Sequence, residues 1–304
     1  MSTQSNAMPE SPVESQVIAP AVISATRCMY WSVRRELWEN RSIYIAPLAV
    51  AAVTLFGFLI ATIGRAFSTT DLAERRAILE EPYTFAALLI MGTTFVVAVF
   101  YCLDALHGER RDRSIMFWKS LPVSDLTTVL SKASIPLVIL PLLTFAVTLA
   151  TQWIMLLLSS AVLLASGQSV ATLWTHFSFF QMSVMLLYHL LAIHSLWYAP
   201  IFAWLLLVSA WARRAAFLWA ALPLVAISAV EKIAFNTSHF ADMMGRRMGG
   251  GPEAVVMPGG SPMDPMTHLT PGHFLISPGL WIGLAIAAVF LAASVRLRRY
   301  QGPI

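Results

Sequence analysis

The sequence predicts an all-α polytopic membrane protein with six transmembrane helices and cytoplasmic N- and C-termini. Three observations predict it: an apolar composition, six stretches long enough to cross a bilayer, and a lopsided placement of basic residues. The 304 residues are 58% hydrophobic and 12% charged, with a mean hydropathy of +0.70. Soluble domains run nearer 45–50% apolar and about 25% charged. So much apolar surface exceeds what the chain's own core can hide, which makes the bilayer its solvent. The net charge of +4 reflects scarce acids as much as plentiful bases. The bases flank apolar stretches and form no soluble basic face, so no nucleic-acid partner is expected.

The elements follow in order. Residues 1–21 begin MSTQSNAMPESPVESQ, polar and proline-bearing, without the apolar run of a cleavable signal; they read as a disordered cytoplasmic tail. Residues 22–41 read as an interfacial amphipathic helix. On a helical wheel Tyr30, Trp31, Val33, Leu37 and Trp38 share one half with Arg27, Arg34 and Arg41, while Ser32, Arg35, Glu36, Glu39 and Asn40 take the other. Rings and guanidiniums on one face suit the lipid headgroup layer, and that face also suits contact with a cytoplasmic partner. Residues 42–300 form the six-span domain. A crossing needs about 20 mostly apolar residues. The expected spans are Ile43 to Ile63, Phe85 to Leu106, Ser134 to Leu164, Ser183 to Ala210, Ala216 to Phe235 and Ile276 to Val295. The third exceeds one straight crossing and carries Pro136 and Pro141, so a tilt or kink is expected. Pro200 lies inside the fourth, and Trp211 to Ala215 leave room only for a tight hairpin before the fifth.

Six spans place both termini on one side. Of the 20 Lys and Arg residues, 14 fall on that side, 5 on the other, and Lys232 within a span. The positive-inside rule makes the richer side cytoplasmic. Outside, DLAERRAILEEP in 65–84 reads as a short charged helix, and 237–275 as a Gly/Pro-rich loop whose flanks dip back toward the outer leaflet.

The cytoplasmic connector 107–133 carries the most information. Arg110, Arg111 and Arg113 follow Glu109, then Ile115, Phe117, Trp118 and Leu121 form an apolar ridge beside Lys119. Pro122 ends that turn, because the residue before proline is pushed out of the α region. Ser124, followed by Asp125, is a candidate N-cap. Leu126, Val129, Leu130 and Ala133 then repeat at i, i+3, i+4 and i+7, the apolar stripe of a second helix. The connector reads either as a basic loop anchored in lipid by its aromatics or as a docking element for a soluble partner, since apolar anchors ringed by charge make binding hot spots.

The stretch GERRDRSIMFWKSLPVSDLTTVLSK resembles the cytoplasmic segment after the second span in ABC transporter permeases of the ABC-2 type. The matching residues are Glu109, Arg110, Arg111, Arg113, Leu121, Pro122, Val123, Ser124 and Lys132. The interfacial helix, the six spans and the long loop before the last span extend the resemblance to roughly residues 22–300. The resemblance implies a permease subunit whose connector docks on a separate cytoplasmic ABC ATPase. Glu109, Arg110, Arg111, Arg113, Phe117, Trp118, Lys119, Leu121, Pro122, Ser124 and Asp125 would then form the coupling contact. Arg27, Tyr30, Trp31, Arg34, Trp38 and Arg41 would lie at the membrane interface. It further implies a second permease copy or paralogue, contact with membrane lipid, a place in the cell membrane and, by family habit, export. No G-x-x-x-x-G-K-[ST] occurs, so ATP and Mg are expected in the partner, and this chain is expected to bind no cofactor and to be no enzyme. The competing expectation is a non-transporting scaffold or assembly factor.

Polar residues within the spans are few. Glu231 and Lys232 read as interface or pathway groups, and Asp104 and His107 as partners in a local hydrogen bond or an inter-helix contact. His189 and His194, five apart, point about 140° away from each other on a straight α-helix. His239, His268 and His273 with Asp242 and Asp264 lack metal-ligand spacing. Cys28 and Cys102 are neither paired nor zinc-like in spacing.

Overall fold

The structure is a computed structural model that describes residues 24–66, 72–120, 123–165, 179–249 and 271–300. The expected N-terminal tail, the loop centre 250–270, Asp264 and His268, and connector residues Leu121 and Pro122 lie outside the described residues. Among those described there is no strand. Five helical stretches are long and apolar enough to cross a membrane, and a bent pair makes a sixth. The chain is an all-α polytopic membrane protein.

Helix α1, Ala25–Glu39, starts at Ser24, whose hydroxyl accepts from the Arg27 N–H, and precedes α2, Ser42–Ala66. Helix α3, Leu72–Ala105, merges the expected outer charged helix with the second span. The connector forms α4, His107–Arg111; α5, Ile115–Ser120; and α6, Asp125–Ser134. Arg113, at φ 57°, turns the chain between α4 and α5. The expected helix–break–helix pattern holds, and Ser124 caps α6 by accepting from the Thr127 N–H at 3.1 Å. The stripe on α6 is turned from its expected setting. Val129 and Ala133 are buried but Leu126 and Leu130 are exposed, because Lys132 points inward to carboxylates.

In the third span, where a tilt or kink is expected, a π-helical stretch, Ile135–Ile139, leads into α7, Leu140–Ala165. Prolines 136 and 141 lack N–H donors and crowd the preceding turn, and the wider turn absorbs both effects; the Leu140 N–H bonds back five residues to Ile135. The fourth span is broken. Helix α8, Phe179–His189, runs into a second π stretch, Leu190–Trp197, and then bends by 45° at Tyr198 into α9, Ala199–Trp211. Pro200 sits in the first turn of α9, where its missing N–H costs nothing.

The hairpin expected at 211–215 is present. Ala215 adopts a left-handed conformation and α10, Ala216–Phe235, follows, ended by left-handed Asn236. Then come α11, His239–Met248; α12, Pro271–Ile276; and α13, Pro278–Tyr300. Helix α9 packs along α13, and α3 packs against α2, α7 and α9. The main core gathers Ile43, Tyr101, Cys102, Ile135, Leu140, Phe202 and Leu206 from these helices. One end of the bundle holds α1, the connector and the last turns of α13; the other holds α11 and α12.

Candidate functional site

At the connector end, charged side chains from four elements are buried together. Glu36 on α1 and Lys132 on α6 are 1% and 2% exposed, and Glu109 on α4 and Arg298 on α13 are buried as well. Lys132 Nζ lies 2.8 Å from Glu36 Oε1 and 3.1 Å from Glu109 Oε1. Arg35 Nη2 bridges the same two carboxylates at 2.7 and 3.0 Å. Arg298 pairs with Glu109 through Nη1 and with Asp125 through Nε, the latter at 3.2 Å. The Tyr101 hydroxyl, from α3, donates to Glu36 Oε2 at 2.9 Å. Burial alone pulls the Arg35 pKa down, but Glu36, Glu39 and Glu109 outweigh it and hold the guanidinium above its ordinary value. Three carboxylates face three cations, so the desolvation of each charge is matched by close partners. The cluster joins the helix before the first span, the end of the second, the start of the third and the end of the last.

Next to it lies a second set of ties. Ser209 Oγ accepts from the backbone N–H groups of Leu106 and His107 at 3.0 and 2.9 Å, satisfying donors at the start of α4. In return Arg110 Nη1 donates to the Ala210 and Ala212 carbonyls at the end of α9, at 2.6 and 3.3 Å, and His107 Nδ1 lies 3.1 Å from the Ala212 oxygen. His107 thus makes an inter-helix contact, while Asp104 pairs with Arg111 at 3.5 Å.

The structure therefore divides the expected coupling residues. Glu109, Arg110 and Asp125 are turned into the protein. Trp118 is half-buried beneath Arg35, whose guanidinium carbon sits 3.8 Å from the ring centroid. Arg111, Arg113 and Lys119 are exposed. So are Met116 and Phe117, at 66% and 60%. Ser124 acts as a cap. The expected interface residues on α1 open outward: Tyr30, Trp31 and Trp38 are exposed, with Arg34 stacked over both tryptophans; Arg27 and Arg41 are also exposed. From the polar half of α1, Arg35 and Glu36 face the protein, and Val33 and Leu37 of the other half pack beside them on the core.

Inside the bundle, Thr144, Thr148, Thr151, Gln152 and Ser159 form a buried polar stripe along one face of α7. Thr144 donates to Thr94 at 3.0 Å, and Ser159 meets the Tyr83 hydroxyl at 3.3 Å. Between these ties, Thr148 Oγ1 and Gln152 Oε1 are buried without a hydrogen-bond partner. Their spacing of i, i+4, i+7 and i+8 was the signal available in the sequence, hidden by the apolar residues around it.

The two histidines of α8 and the second π stretch depart from expectation. Their rings lie 6.2 Å apart, because the π turn brings residues five apart onto one face. Among the described residues no group of three His, Cys, Asp or Glu side chains is arranged to hold a metal ion. At the far end, Glu231 is a helix cap. It accepts from Thr237 Oγ1 and from the His239 and Phe240 N–H groups, each at 2.8 Å, at the start of α11. Arg247 at the other end of α11 stacks on Trp197 at 4.1 Å and donates to the Gly279 carbonyl at 2.9 Å. Burial lowers the Arg247 pKa. Trp197 Nε1 and the Tyr198 hydroxyl donate to the Arg247 and Met248 carbonyls, both at 3.0 Å, so α11 is latched onto the bend.

The chain matches no known protein-family profile, no curated protein and no solved structure. Fold and site together define a polytopic α-helical membrane protein with a buried ionic cluster joining its connector to α1 and the end of α13.

Proposed function

We propose that the chain is the membrane-spanning permease subunit of an ATP-driven ABC transporter of the ABC-2 type, an exporter in the cell membrane. The observation that carries this reading is the two-sided connector. Its outer side offers Met116 and Phe117 among exposed arginines, a suitable anchor for a soluble partner. Its inner side, through Glu109 and Lys132, is tied to α1 and α13. A push on α5 then reaches several spans as one body. ATP and Mg belong to the partner ATPase, and the substrate passes between this chain and a second permease copy or paralogue. The polar stripe on α7 gives the spans hydrogen-bonding groups in an otherwise apolar interior.

The test is affinity purification from the native membrane. Wild type is expected to bring down a nucleotide-binding protein with a Walker A motif. A Met116→Ser/Phe117→Asp variant, altered only at exposed positions, is expected to insert normally and lose that protein. If wild type retains no ATPase, the reading fails and a scaffold role takes its place.

A further inference from the structure

A cavity of about 210 Å³ opens at the connector end, where α5, α6 and the end of α13 meet. Trp118 and Lys119 line it from α5, Asp125 and Thr128 from α6, and Arg298 and Arg299 from α13. Three cations and the Asp125 carboxylate line it, and Arg298 is paired both with Asp125 and, beneath it, with Glu109, so the floor is fixed. Lys119 and Arg299 are exposed at the rim, and the Lys119 ammonium donates to the Arg299 carbonyl at 3.5 Å, tying the two walls together. The first turn of α6 lines the cavity, and the positive end of its dipole adds to the field. The indole of Trp118, stacked on Arg35, supplies an apolar wall.

The ligand chemistry follows. A small cavity lined by three cationic side chains, an indole wall and a hydroxyl suits a phosphate group with a short apolar attachment. The setting favours a lipid source. The cavity lies at the end of a span and beside α1, whose exposed tyrosine and tryptophans belong at headgroup height. Basic pockets between helices on the cytoplasmic side recognise anionic headgroups. We propose that this cavity binds the phosphate of an anionic phospholipid. The proposal does not depend on the transporter reading.

Thermal unfolding of the full chain in dodecyl maltoside tests it, because a ligand that binds only the folded state raises the midpoint with its concentration. Phosphatidylglycerol is expected to raise the midpoint, and phosphatidylcholine is not. A Lys119→Ala/Arg299→Ala variant is expected to lose most of that rise, and Arg213→Ala/Arg214→Ala, which removes an exposed basic pair elsewhere, to keep it. Should the double variant not fold, Lys119→Gln and Arg299→Gln singly give the same reading. Equal stabilisation by the two lipids overturns the proposal, as does equal loss in the control variant or no loss in the cavity variants. Stabilisation by inorganic phosphate matching that by phosphatidylglycerol overturns the lipid source.

Discussion

Lys132 shows what the cluster asks of single residues. Its ammonium is nearly sealed from solvent, yet it has Glu36 and Glu109 within 3.1 Å. Taking one partner from a buried ion pair leaves an uncompensated charge and costs about 3–5 kcal/mol, whereas removing both is often close to neutral. Lys132→Met should therefore unfold at markedly lower temperature or denaturant than wild type. Adding Glu36→Gln to it should recover much of the loss, since the Tyr101 hydroxyl keeps an acceptor. Additive losses in the double variant, measured in the same detergent, would mean that the two groups are not coupled. The sequence showed these charges but not their meeting. Glu36 falls on the wheel face that looks solvent-directed, and Lys132 and Arg298 look like ordinary positive-inside residues. Their partners lie 96 and 189 positions away, beyond the reach of any local pattern.

At the scale of elements, the clearest case is α11, a short helix held at both ends by other elements. Glu231 from α10 satisfies two of its first backbone donors, and Arg247 fastens its last turn to Trp197 and α13. Helix starts leave four N–H groups without internal partners, so a cap from another helix also fixes position. Glu231→Ala should speed hydrogen–deuterium exchange across 239–248 and leave α9 and α13 unchanged. Unaltered exchange in α11 would show that the contacts at its last turn suffice to hold it. Element type was readable because span length and proline spacing are local properties. The π stretches were not, since their wider turns come from packing around the prolines and the bend at Tyr198. That one change of turn overturned the expectation for His189 and His194, which a straight helix would separate and this one brings together.

For the whole molecule, apolar length was legible and sidedness remained a matter of charge counting. The ends of the bundle differ in kind. One carries the ionic cluster, the connector and the basic last turn of α13; the other carries α11, latched to the bend between α8 and α9. By the positive-inside rule the basic residues of α1, the connector and α13 favour a cytoplasmic position for the cluster end, an expectation open to direct labelling. Arg113 is exposed in the connector and Met243 is exposed on α11, so each accepts a reporter without disturbing the core. In a background with Cys28 replaced by Ser and buried Cys102 kept, Arg113→Cys should react with a membrane-impermeant maleimide only after the inner face is exposed. Met243→Cys should react in intact cells. The reverse pattern would place the connector outside, where no ATP is available, and would rule out the proposed coupling role together with the proposed place of the Lys119–Arg299 cavity in the cytoplasmic leaflet.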